Sequence, residues 1–362
     1  MAQARRDDGD REPGVGLTRR ILVTGGTGVI GAWAVRELVE TGHEVAVLSR
    51  GSTHVGRPIL ADVASELTWF DGDVVEPLTL TRAFARFRPE VVAHLASAKP
   101  WQMDAGYVED PKPLLGVRTI VDGTVNVLEA ARALSVERVV FAGSKASYAP
   151  FTGRHGAPTY DPVDESYPSV PYDVYGITKL AAEQLGGYYR RHLGVDFISL
   201  RFGSTYGPFK RGAATMPAGL ISHAIDGQEI EVEYSRAAFE RRDDFIYNRD
   251  VARGIAAACL TDRTERWMFN IGTGRGVSVG EIVQALHDTP GLIAPDVTVV
   301  DDPDPDDRGA SSHAATFAGV LDTTAAAGEL GFTAAYDLRA AIADCARFVA
   351  GHDYERAAHS SG

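Results

Sequence analysis

Apolar residues in this chain gather in short β-like runs, separated by longer stretches in which they recur at helical spacing. Ile21-Leu22-Val23 is the first run. A glycine turn follows, then residues 32–41 carry apolar positions at helical spacing up to Gly42, which suits a helix C-cap. Residues 44–48 read as the next strand. The alternation continues with predicted strands at 67–70, 91–96, 138–142 and 196–200, and predicted helices at 78–88, 113–134 and 174–193. In the helix over 113–134, Val117, Val121, Val125 and Leu128 fall on one side. Strands alternating with helices predict an α/β fold, a doubly wound parallel sheet covered on both faces. After Arg201 the elements shorten and Gly, Pro and charge increase. That predicts the end of the sheet interleaved with a smaller C-terminal lobe.

Composition supports a globular domain: 362 residues, 44% hydrophobic and 23% charged. The net charge of −13 argues against a nucleic-acid or anionic-membrane surface. Cys259 and Cys345 form neither a zinc spacing nor a disulfide framework, and buried thiols are expected. The polar N-terminus lacks the apolar stretch of a secretory signal, and no window has the length of a membrane span. A cytoplasmic protein follows as the expectation. The acidic run 301–307 reads as a solvated loop rather than a metal site.

Thr24-Gly25-Gly26-Thr27-Gly28-Val29-Ile30-Gly31 lies between the first strand and the first helix. Gly25, Gly28 and Gly31 suit a sharp turn that lets phosphates approach bare backbone, with the helix N-terminus aimed at a pyrophosphate. At the end of the second strand an acidic residue would bind a ribose 2′-hydroxyl. Here Ser49-Arg50 stands in its place, a pair suited to a 2′-phosphate, so NADP is favoured over NAD. Asp73, after the third strand, is a candidate acceptor for an adenine amino group.

Far downstream stands Tyr175-Gly176-Ile177-Thr178-Lys179. Hydride transfer at a carbinol carbon requires its oxygen to change protonation. Lys179 falls one helical turn after Tyr175, where an ammonium would lower the phenol pKa. Ser144 ends a predicted strand and is placed to hydrogen-bond a substrate oxygen.

With these motifs the chain resembles the extended short-chain dehydrogenases/reductases of the NAD-dependent epimerase/dehydratase kind. Further support comes from His94-Leu95-Ala96, Gly123-Thr124, Val140-Phe141-Ala142-Gly143-Ser144, Leu200-Arg201, Asp244-Phe245-Ile246, Asp250-Val251-Ala252 and Phe269 to Gly274. The resemblance implies a Rossmann sheet with a smaller C-terminal substrate-binding lobe. The expected division is a tail at 1–18, a dinucleotide-binding domain at 19–202, the interleaved sheet end and lobe at 203–352, and a tail at 353–362. It implies Tyr175 as acid/base, Lys179 as its tuning residue and ribose contact, and Ser144 as the orienting hydroxyl. Thr27, Val29, Ile30, Asp73, Val74, Leu95, Ala96, Ser97 and Lys99 match cofactor-contacting positions. The helices near 113–134 and 174–193 match those that pair in a homodimer.

The chain departs from the family pattern at several positions. Ile120 and Ser204 stand where asparagines are usual. Asp243 stands where an arginine often clamps a diphosphate, and Lys145-Ala146 replaces the acid pair of the 4,6-dehydratases. Dehydration is therefore disfavoured, and diphosphate binding is left open. Lys145, Arg154, His155, Arg241 and Arg308 are candidate anion contacts. The expected function is epimerisation of a sugar or sugar-like polar substrate through a transient ketone. The alternatives are a net NADP-dependent dehydrogenase or reductase and a non-catalytic dinucleotide sensor.

Overall fold

The computed structural model describes residues 18–51, 57–98, 101–104, 107–210, 217–301 and 318–351. In chain order its first half runs β1 (Arg20–Thr24), α1 (Val29–Glu40), β2 (Glu44–Ser49), β3 (Thr68–Asp71), α2 (Pro77–Phe87) and β4 (Val91–His94). A hairpin of β5 (Trp101–Asp104) and β6 (Tyr107–Pro111) follows, then α3 (Pro113–Gly116), α4 (Gly123–Ala133), β7 (Arg138–Ala142), α5 (Val174–Tyr188) and β8 (Asp196–Phe202). Among the described residues one sheet has seven strands. Its order is β12 (Met268–Ile271), β8, β7, β4, β1, β2, β3, and all its pairings are parallel. This is the expected doubly wound α/β sheet. β1 lies between β2 and β4, with Ile21 opposite both Val45 and Val91. The chain reverses its lateral direction there, and that reversal opens a crevice at the carboxyl ends of β1 and β4.

β1, β4 and β7 are almost entirely buried because helices cover both faces of the sheet. On one face α1 packs against α8 (Asn248–Leu260), burying Trp33, Val35, Leu38, Val251 and Ile255. The other face carries α2, α4 and α5, with Phe84, Val127, Leu128 and Ala182 in its core. α3, the π-helical turn Val117–Asp122 and α4 form one continuous helix. Its core side is Ile120, Thr124, Val127, Leu128 and Ala131, whereas Val117 is exposed and Val121 and Val125 are half-buried. The valine stripe is thus turned from the core, and only Leu128 of that set is buried.

Beyond β8 a C-terminal lobe forms from β9 (Ser204–Tyr206), α6 (Pro217–Ile225), β10 (Glu231–Ser235), α7 (Arg236–Glu240), β11 (Arg242–Tyr247), β13 (Gly276–Ser278), α9 (Val279–His287), β14 (Asp296–Val300) and α11 (Leu338–Ala350). α10 (Thr324–Leu330) packs instead beside α8 and β12. The lobe has its own core around Leu220, Tyr234, Tyr247, Ile282, Leu286 and Ile342. Within it β11 pairs with β9 in parallel and with β13 antiparallel. These strands of three to six residues are too short for alternation to reveal them in the sequence. Cys259 and Cys345 are both buried and unbonded to each other, and burial pushes each thiol up to about 12. Among the described residues no helix is long and apolar enough to cross a membrane, and no group of His, Cys, Asp and Glu is arranged to hold a metal.

Candidate active site

The glycine turn closes the crevice at the end of β1. Gly25 has φ +69°, and a Cβ there would stand 2.7 Å from the backbone nitrogen of Ala96 in the loop after β4. At Gly31 a Cβ would overlap the Gly25 carbonyl oxygen, so only glycine lets α1 begin this close to the turn. Gly28 is the exposed N-cap of α1, and no side chain caps the helix. Its first N–H groups and dipole therefore remain for an anionic ligand such as a pyrophosphate. Val29 and Ile30 are half-buried beside the turn, and Thr27 is buried. These features fit a dinucleotide.

Ser49 is nearly buried at the end of β2 and Arg50 is exposed. The Arg50 guanidinium lies 3.5 Å from the Asp73 carboxylate. The proposed phosphate contact and the proposed adenine contact are therefore paired with each other. Val74 is buried against α4, and its carbonyl accepts from Asn126 Nδ2 at 3.0 Å. Leu95 and Ala96 are half-buried in the loop after β4 and Ser97 is exposed there, whereas Lys99 lies outside the described residues.

Tyr175 sits in the first turn of α5, whose N-cap Asp173 accepts from Gly176 N at 2.6 Å. Its hydroxyl is hydrogen-bonded with Ser144 and with Ser97. Ser144 Oγ also accepts from Ala146 N at 3.1 Å, which fixes the tight turn after β7. Lys179 is buried one turn along α5. Its Nζ donates to the Ala142 carbonyl at 2.7 Å and stands 5.5 Å from the centre of the Tyr175 ring. The structure thus brings Ser144, Tyr175 and Lys179 together at the carboxyl end of β7.

The electrostatics differ from the sequence expectation. Burial pushes Tyr175 up to about 12, against the pull of its bond to Ser144. Burial also pulls Lys179 down to about 7. Desolvation is the largest cause of both shifts, so the protein alone favours the charged form of neither group.

His94, at the end of β4, is a buried neighbour of this cluster that the sequence signalled only as part of a motif. It is wholly buried between the hydroxyls of Thr24 (2.7 Å) and Thr124 (3.1 Å). Burial and the nearby Lys179 bring it down to about 3, so it stays neutral. It joins β1, β4 and α4 directly beneath the crevice.

The motifs of the second half hold structure. Arg201 and Glu183 form a fully buried ion pair, with Arg201 Nε 3.0 Å from Glu183 Oε2. Asp244 is buried and accepts from Thr273 N and Oγ1, both at 2.8 Å, and from Gly274 N at 3.1 Å. Asp250 accepts from Ala335 N at 2.9 Å and Tyr336 N at 3.0 Å. Among the candidate anion contacts, Lys145 is paired with Asp243 and Arg154 with Asp161. His155 Nδ1 lies 2.8 Å from the Asp161 carbonyl, and the Arg241 backbone N–H donates to Ala237. Arg308 and most of the acidic run lie outside the described residues.

The family model for the NAD dependent epimerase/dehydratase family matches residues 21–272. UDP-glucose 4-epimerase 2 of Oryza sativa subsp. japonica is 31% identical over 304 residues, covering 77% of this chain and 72% of the rice protein. The UDP-glucose 4-epimerase of Thermus thermophilus, solved in complex with NAD, has a TM-score of 0.71 at 26% identity and covers 92% of this chain and 99% of its own. The Bordetella bronchiseptica enzyme WbmG, solved with NAD and UDP, has a TM-score of 0.69 at 27% identity, covering 94% and 96%. Both solved relatives hold NAD, so the NADP preference read from Ser49-Arg50 finds no support in them.

Proposed function

The chain belongs to the NAD dependent epimerase/dehydratase family, and from that premise we propose that it epimerises a sugar-like substrate at a secondary carbinol through a transient ketone. The observation that carries this reading is the Ser144–Tyr175–Lys179 cluster beside the glycine turn. A bound nicotinamide dinucleotide supplies the hydride acceptor and, when oxidised, a positive charge that favours a phenolate. Gly25 to Gly31 and the open N-terminus of α1 hold its pyrophosphate. Ser144 Oγ hydrogen-bonds the substrate oxygen and fixes it against Tyr175. Tyr175 Oη takes the carbinol proton as the ketone forms and returns it after the ketone has turned. Lys179, 5.5 Å from the Tyr175 ring centre, would hold the nicotinamide ribose and, when charged, favour the phenolate.

The proposed dinucleotide is NAD, with Arg50 held by Asp73 and not committed to a 2′-phosphate. The absence of a carboxylate at Ser49 is the observation that favours the second reading, a net NADP-dependent dehydrogenase or reductase. Denaturing the purified protein and identifying the released dinucleotide by mass spectrometry separates the two. Near-stoichiometric NAD supports an epimerase that recycles its hydride. An empty protein that binds NADPH more tightly than NADH supports net redox.

The protein is also proposed to be a homodimer. Leu114, Leu115 and Val117 at the start of the α3–α4 helix are exposed, as are Ile177 and Tyr188 on α5. These two helices pack side by side, so their outer faces form one surface suited to a second copy.

A further inference from the structure

We propose that Asp243, ion-paired with Lys145, makes the crevice beside Ser144 selective for an uncharged, hydroxyl-bearing part of the substrate and hostile to a diphosphate. The proposal rests on the epimerase reading above and narrows its substrate class.

Lys145 directly follows Ser144 at the end of β7, and Ser204 lies just past the end of β8. Both therefore stand at the carboxyl ends of the sheet, where a ligand is received. Asp243 of β11 joins them. Its Oδ1 is paired with Lys145 Nζ and accepts from Asp244 N at 2.9 Å and Gly319 N at 3.2 Å, while its Oδ2 accepts from Ser204 Oγ at 2.5 Å. The side chains of Lys145 and Asp243 are only 8% and 14% exposed, so water screens the pair weakly. Lys145 thus has its charge balanced before any substrate arrives. Asp244 adds a second buried carboxylate behind the first.

Three nearby cations are committed elsewhere. Arg242 reaches the Gly276 carbonyl at 2.8 Å and Glu281 at 3.0 Å, Lys210 binds the Thr205 carbonyl at 2.6 Å, and Arg201 is held by Glu183. A diphosphate placed here would meet an ion pair with no net positive charge to offer it, and at short range the Asp243 oxygen beside Ser204 would repel it. A hydroxyl, by contrast, can donate to the remaining lone pair of Asp243 Oδ2 or to the Ser204 oxygen, whose own proton is already given to Asp243.

The test is calorimetric titration of UDP into the dinucleotide-loaded protein and its Asp243→Asn variant, which removes the charge and keeps the shape. The wild type is expected to bind UDP more weakly than about 1 mM, and the variant at least about tenfold more tightly, a difference of about 1.4 kcal/mol or more. Micromolar UDP binding by the wild type overturns the proposal. So does an unchanged affinity in a folded Asp243→Asn protein. If that variant fails to fold, Ser204→Asn, which leaves the ion pair in place, should still bind UDP weakly, and tight binding there overturns the charge argument. None of these outcomes bears on the epimerase reading, which fails separately if Tyr175→Phe keeps its activity.

Discussion

Tyr175 and Lys179 are each pushed by burial toward their neutral forms, the phenol up to about 12 and the ammonium down to about 7. A ligand-free pocket is therefore a poor place for a phenolate, and the bound dinucleotide must shift that balance. Tyr175→Phe is expected to lower kcat by about 10² to 10⁴, the usual worth of a positioned acid/base, with dinucleotide content unchanged. Retained turnover would remove Tyr175 from the proposed role. For Lys179 the folded value lies below the ordinary 10.5. Between about 7 and 10.5 the unfolded chain holds a proton that the folded chain has shed, so stability rises with pH across that window and the cost is greatest below it. The Tm of dinucleotide-free wild type should accordingly climb relative to that of Lys179→Met as pH rises from about 7 to about 10. Parallel Tm curves for the two proteins would show that Lys179 carries no such burden. Both site residues were legible in the sequence because they lie one helical turn apart. The direction of their shifts was not, because burial is set by elements far away in the chain.

α1 and α5 show how an element delivers chemistry. α1 offers its N-terminus only because Gly31 lets it start against the Gly25 carbonyl. Gly31→Ala is expected to cost about 1–3 kcal/mol by overpacking and to yield protein without dinucleotide, which unfolding curves and mass spectrometry would read. α5 carries Tyr175, Lys179 and Glu183 at four-residue intervals, and the last of these is anchored to Arg201 of β8 and Ser199. Glu183→Gln leaves a buried guanidinium without its counter-ion. It should lower stability by about 3–5 kcal/mol in denaturant unfolding, and a change under about 1 kcal/mol would show that the pair is not structural. The α3–α4 helix carries a different lesson. Its Val117, Val121 and Val125 stripe was visible in the sequence, but the structure turns it away from the core and buries the Ile120–Thr124–Leu128 side. Periodicity marks an apolar face without saying what covers it.

At the scale of the whole molecule, those uncovered faces give the oligomer prediction. The intact protein should migrate as a dimer in light-scattering chromatography, and Leu115→Asp with Ile177→Glu should convert it to monomer without unfolding it. A wild type that stays monomeric at about 10 μM, well above the affinity expected of a stable dimer, would rule out this interface. The two halves of the molecule meet at the Lys145–Asp243 pair, which joins the turn after β7 to β11 of the C-terminal lobe. The proposed charge selection at the crevice would thus belong to the assembled molecule and not to either half.

The sequence by itself determined the doubly wound sheet and the places of the glycine turn, Ser144, Tyr175 and Lys179. These depend on local spacing, namely the strand–turn–helix order and one turn of helix. Tertiary structure alone decided what those groups experience. It tied Ser97 to Tyr175, kept His94 neutral between Thr24 and Thr124, and returned β12 from the second half of the chain to the edge of the sheet. It also set Asp243 against Lys145 across 98 positions. Desolvation and ion pairing depend on which distant residues fold into the same small volume, and no local pattern encodes that.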